Sequence, residues 1–254
     1  MMKAENVSLD YGARRVVDAV SLEAGAGQLI GLIGPNGSGK TSLVKCLSGL
    51  VGHAGNVELE GKSLSAMGPK TRARSIAYLP QDQVVHWPLD VSEVVALGRM
   101  PHRAAFAGPS AADLAATERA MERADIRHLA ERNALQLSGG ELARVLLARA
   151  LAVEAPVLLV DEPVSFLDPY HQLQIMEMLR DYAHDGALVI AVLHDLTLAG
   201  RFCDRLMMMG EGRLLADGSP ADVLSEDHLA KGFAITPAQG EKAGEGFVIP
   251  WRRL

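Results

Sequence analysis

Twenty residues, QLIGLIGPNGSGKTSLVKCL from Gln28 to Leu47, leave few folds open to this chain. QLIGLIG is apolar without alternation, as in a central strand buried on both faces. It runs straight into GPNGSGKT, residues 34 to 41, which fits G-x-x-x-x-G-K-[ST] in the strand-to-helix setting that this pattern needs. The loop Gly34, Pro35, Asn36, Gly37, Ser38 and Gly39 wraps phosphates with its backbone amides. The N–H groups at the helix start, around Lys40, Thr41 and Ser42, add to the cradle. Lys40 is expected to reach the β- and γ-phosphates of a nucleotide such as ATP, and Thr41 to place its hydroxyl on Mg2+.

The rest of the chain reads in the same architecture. NVSLDY, RRVVDAVSLEA and NVELEG are strand-like and point to an antiparallel β subdomain near the start. From about 89 to 150 the composition turns to Ala, Leu, Arg and Glu at helical spacing, a helical subdomain inserted between turn-rich segments. Beyond it PVLLVDEP and ALVIAVLHD are buried strands, each followed by a helix, and RLMMMGEGRLLADG reads as a hairpin. Strands alternating with helices predict a mostly parallel sheet, so the expected class is α/β, a P-loop core carrying the antiparallel and helical subdomains. Residues 1–233 are expected to form the ATPase domain and 234–254 a loosely specified tail.

Composition removes several functions. A net charge of −6 argues against general nucleic-acid binding, which needs a basic face to displace counterions. Cys46 and Cys203 lack the spacing of a disulfide framework or a metal site, which fits a reducing compartment. The N-terminus carries no secretory pattern, and no window reaches the ~18 apolar residues of a membrane span. Any membrane association is therefore expected to run through a partner.

A magnesium-bound nucleotide also needs a carboxylate at a neighbouring strand end, and LLVDE supplies two. Asp161 is the candidate metal partner, through water, because Mg2+ keeps much of its hydration shell. Glu162, at the carboxyl end of a buried strand, is placed to accept a hydrogen bond from an attacking water. His194, ending the next apolar strand, is placed to sense the γ-phosphate. Gln81, in AYLPQD, ends another strand and offers a carbonyl to Mg2+ or water.

A second glycine turn, LSGGE at 137–141, opens another helix. Ser138 and Glu141 make a capping box there. LSGGE also resembles the signature motif of ATP-binding cassette ATPases. The P-loop, the Gln81 loop, LLVDE, SFLD and His194 follow that family's order from about Glu5 to Phe233. The resemblance implies that Ser138, Gly139 and Gly140 serve a nucleotide held by a second copy of the chain, in a head-to-tail homodimer sealed by ATP. It also implies that Asp168 of SFLD lies at that interface and that Tyr11 stacks on adenine. Val164, Phe166 and the pair Leu142-Ala143 depart from the commonest family wording, which touches interface packing and no phosphate, metal or water ligand.

The wording VSEVVALGRMPHR is similar to that of ATPases from bacterial importers of iron chelates, siderophores and haem among them, and of their cobalamin relatives. That similarity implies two transmembrane permease subunits, an indirect link to a periplasmic substrate-binding protein, and a peripheral location on the cytoplasmic face of the inner membrane. In the family the stretch QVVHWPLDVSEVVALGRMPHR receives the permeases, with Trp87 and Val91 as expected apolar anchors. Import of cobalamin, molybdate or zinc is the alternative within the class. Soluble cassette ATPases of repair or translation are disfavoured by the single P-loop and the lack of a coiled-coil insertion. A small-molecule kinase would leave LSGGE and His194 unexplained.

Overall fold

In the computed structural model, which describes residues 1–81, 85–104, 106–242 and 245–254, β1 (Met2–Tyr11) and β2 (Arg14–Ala24) form an antiparallel pair interrupted by bulges. Asn6 and Ala19 take positive φ at these irregularities. Serines of the opposite strand accept the amides that lose their ladder partners: Asn6 N–H bonds Ser21 Oγ at 2.9 Å, and Ala19 N–H bonds Ser8 Oγ at 2.8 Å. β3 (Gln28–Ile33) is the buried strand expected before the glycine loop, and α1 (Lys40–Leu47) follows the loop. β4 (Ala54–Leu59) and the short β5 (Lys62–Ser63) extend the antiparallel sheet in the order β2-β1-β4-β5.

Residues 68–178 form a second compact unit. It starts with α2 (Pro69–Ser75), whose Pro at the first turn suits a helix start. β6 (Ile76–Leu79) comes next, then α3 (Val91–Ala96), α4 (Ala111–Arg123) and α5 (Gly139–Leu151). Capping boxes open all three of these last helices, on Asp90, Ser110 and Ser138. β7 (Val157–Asp161) pairs in parallel with β6, setting Tyr78 opposite Leu159. α6 (Pro169–His184) then carries the chain onward.

Val91 is fully buried on α3, whereas Trp87 is 72% exposed. The expectation that both anchor a partner is therefore corrected for Val91, which the helix turns inward with Val94 and Val95. Residues 83–84 of the expected partner-binding stretch lie outside the described residues.

The first unit is completed by residues 179–254. β8 (Leu188–Val192) lies parallel to β3, α7 (Leu196–Phe202) follows, and β9 (Arg205–Gly210) lies parallel to the other edge of β3. Parallel partners on both sides account for the unbroken apolar run of β3. β10 (Arg213–Gly218) returns antiparallel to β9 as the expected hairpin, and α8 (Pro220–Val223) and α9 (Glu226–Phe233) come after it.

The last stretch is more ordered than its composition predicts. β11 (Ile235–Lys242) and β12 (Glu245–Arg253) form an antiparallel pair. Phe247 lies across Gly240, whose missing Cβ would sit 2.3 Å from the ring, and Thr197 Oγ1 donates to Val248 O at 2.7 Å from α7. Glycines, charges and two prolines hide the alternation in the sequence. Cross-strand packing restores it.

Leu147 on α5 is fully buried and Leu114 on α4 is exposed. Leu147→Ala is expected to lower stability by about 3 kcal/mol in urea unfolding. Leu114→Ala is expected to change it by less than ~0.5 kcal/mol.

Candidate active site

The glycine loop is shaped by close approach of its neighbours. Gly34 has φ +148°, and a Cβ there would sit 2.3 Å from Met209 O. Gly39 has φ +99°, and its Cβ would sit 2.2 Å from Val16 O. Only glycine meets both demands at these two positions, so β9 and β2 press the loop from either side. Gly39 then starts α1 with no side-chain cap.

Lys40 is 6% exposed, and its Nζ donates to Gly34 O at 2.8 Å and Pro35 O at 3.0 Å. Ser38 is 2% exposed, and its Oγ has no hydrogen-bond partner among the described residues. A buried hydroxyl without a partner is costly, and it sits here beside a buried ammonium and an uncapped helix start. These groups fit a polyanion, and the loop fits phosphate.

His194 stands exposed two residues past β8. The register that pairs Leu32 with Val192 continues through a bond from Leu193 N–H to Leu32 O at 3.1 Å, which brings His194 level with Gly34. Tyr11 is exposed at the last position of β1, directly opposite Arg14.

The second unit assembles the carboxylates. Asp161 is fully buried at the end of β7, with Tyr78 Oη 3.5 Å from its Oδ2. Glu162 follows at φ +53°, a left-handed conformation uncommon outside glycine. Gln81 Nε2 donates to Glu162 Oε2 at 2.7 Å, and Ser165 Oγ donates to the same oxygen at 3.0 Å. Gln81 and Glu162, read separately in the sequence, are thus one constellation. Ser165 was not singled out there, although a hydroxyl three residues after a carboxylate is a local signal for such a bond. A cavity of about 330 Å³ opens here, lined by Gln81, Glu162, Ser165, Gly139 and Leu142 among others.

Ser138 caps α5 as the sequence implied. Its N–H donates to Glu141 Oε2 at 2.8 Å, its Oγ donates to the same oxygen at 2.8 Å, and Glu141 N–H reaches Ser138 Oγ at 3.3 Å. The two Ser138 bonds hold the Glu141 carboxyl below its usual range.

The two glycines of the turn differ. A Cβ on Gly140 would sit 2.4 Å from the His171 ring, whereas a Cβ on Gly139 would meet nothing within 4 Å. His171 also donates its backbone N–H to Asp168 Oδ1 at 3.1 Å and sets Nδ1 2.8 Å from Oδ2, holding the Asp168 carboxyl below its usual range. His171 thereby ties Asp168 to the Gly140 turn, a role that its position three residues past Asp168 hinted at. Phe166, between Glu162 and Asp168, is fully exposed at φ +64°.

Among the described residues no group of three or more His, Cys, Asp or Glu is gathered around a metal position.

Comparison with known proteins agrees with this chemistry. The sequence profile of the ABC transporter family matches residues 17–165. The hemin import ATP-binding protein HmuV of Mesorhizobium japonicum is 45% identical over 242 residues, 92% of this chain and 91% of that protein. The cobalamin import ATP-binding protein BtuD of Halobacterium salinarum is 39% identical over 244 residues, 95% of this chain and 61% of that protein. A dimeric post-hydrolysis ATP-binding cassette bound to ADP and Pi superposes with a TM-score of 0.74 at 26% identity, covering 87% of this chain and 99% of that one. A profile match over more than half of the residues, with a relative this similar along nearly its whole length, establishes that the chain belongs to the ABC transporter family.

Proposed function

We propose that this chain is the ATP-hydrolysing subunit of a bacterial importer of an iron chelate of the haem type. The observation that carries the ATPase reading is the glycine loop, where Gly34 and Gly39 take positive φ under close-packed carbonyls and the buried Lys40 ammonium folds onto the loop carbonyls. The cargo reading rests on the 45% identity to a hemin import subunit. Cobalamin is the second reading, favoured by the 39% identity to a cobalamin import subunit.

In this reading Gly34 to Gly39, with Lys40, Thr41 and Ser42, hold the triphosphate, and Tyr11 stacks on the adenine. When bound, Mg2+ would neutralise charge on the β- and γ-phosphates, held by the Thr41 hydroxyl, by Asp161 through water and by the Gln81 carbonyl. Glu162 accepts a hydrogen bond from the attacking water. Gln81 and Ser165 hold its Oε2 and so orient the carboxylate. His194 senses the γ-phosphate from the end of its strand.

Ser138, Gly139 and Gly140 act on the nucleotide of a second copy. The open space at Gly139 supports this, because nothing within 4 Å among the described residues demands a glycine there. Asp168 meets the same interface. Two copies bind beneath two transmembrane permease subunits on the cytoplasmic face of the inner membrane, with a periplasmic binding protein delivering cargo to the permease. Among the described residues no helix is long and apolar enough to cross a membrane, consistent with attachment through those subunits. ATP closes the pair, and loss of the γ-phosphate releases it.

Glu162→Gln is expected to bind ATP, accumulate as a dimer in light scattering and hydrolyse at least about a hundredfold more slowly. Turnover at the wild-type rate would remove Glu162 from its role. Ser138→Arg is expected to keep single-site ATP binding yet remain monomeric with ATP, and ATP-driven dimerisation of this variant would contradict the cross-subunit contact. For the cargo, vesicles holding the complex with its permease are expected to accumulate haem on addition of ATP. Accumulation of cobalamin instead would move the assignment to the second reading.

A further inference from the structure

The β1–β2 hairpin ends beside the phosphate loop. Its last cross-strand pair is Tyr11 with Arg14, joined by a two-residue turn in which Gly12 takes φ +59°. Directly opposed residues of an antiparallel pair project from the same face, so the Tyr11 ring and the Arg14 guanidinium share one side of the hairpin.

Arg14 Nη2 lies 4.0 Å from the position that a Cβ would take on Gly37, which places the guanidinium against the glycine loop itself. Neighbouring cations are already paired. Arg15 bonds Asp10 Oδ1 at 3.0 Å and Asp18 Oδ1 at 3.3 Å, and Arg213 bonds Asp18 Oδ2 at 2.7 Å. Arg14 is exposed, and its guanidinium has no hydrogen bond or ion pair among the described residues. A planar, permanently charged fork held at a phosphate loop without a carboxylate partner has the chemistry of a phosphate ligand.

We propose that Arg14 is a nucleotide-binding residue whose guanidinium closes on the phosphate chain from the side opposite Lys40, while Tyr11 on the same hairpin face covers the base. The hairpin end then reads the nucleotide at both ends. This rests on the ATP reading above. It adds that affinity depends on phosphate number through a group outside the glycine loop.

Titration of the full chain with ATP, ADP and AMP in the presence of Mg2+ tests it, using the wild type, Arg14→Ala, Arg14→Lys and Arg14→Glu. Arg14→Ala is expected to weaken ATP binding about tenfold, with smaller losses for ADP and AMP in that order. Arg14→Lys should lose less and Arg14→Glu more, all with the wild-type unfolding midpoint. Wild-type ATP affinity in both Arg14→Ala and Arg14→Glu would overturn the assignment and leave the ATPase reading standing. Equal losses for all three nucleotides would also overturn it, since they would mark a disturbed hairpin in place of a lost phosphate contact. A wild-type chain that binds no ATP would overturn both readings.

Discussion

Everything in the first unit is arranged around one buried charge, the Lys40 ammonium folded onto the carbonyls of Gly34 and Pro35. A cation withdrawn from water is costly, and the two carbonyl dipoles offset part of that cost. The loop can hold it there because the missing Cβ atoms of Gly34 and Gly39 let the Met209 and Val16 carbonyls press in. β9 and β2 are thereby locked to the loop, and a tight loop is what leaves the Ser38 hydroxyl without a partner. An ammonium, a buried hydroxyl and a helix start thus meet at the place where β3 gives way to α1.

The second unit solves a different problem, how to fix the orientation of a carboxylate. Glu162 sits in a left-handed conformation, with one oxygen fastened by Gln81 and Ser165. Fixing one oxygen orients the whole carboxylate. Asp161, one residue earlier, is fully buried, so adjacent carboxylates meet opposite surroundings. Within one dipeptide the surroundings differ as well, with Gly140 packed on His171 and Gly139 exposed.

Much of this was legible from adjacency along the chain. The glycine loop, the Ser138 cap and the acids ending LLVDE are local patterns, and the structure contains the strand, the helix starts and the capping box that they implied. Val91 was misread because an apolar residue near a helix start looks alike whether it turns inward or outward, and the choice belongs to α3 packing. The β11–β12 pair was missed because Gly240 carries no side chain of its own and borrows the Phe247 ring from across the ladder.

By itself the amino-acid order determined where backbone must bend, where helices begin and which side chains carry charge, since φ preferences, caps and apolar periods act over a few residues. Only the tertiary structure decided that Gln81 and Ser165 grip one oxygen of Glu162, that His171 fills the space over Gly140, and that Arg14 leans on Gly37. Such contacts arise when packing brings separated segments within a few ångströms of each other. No local rule encodes that proximity.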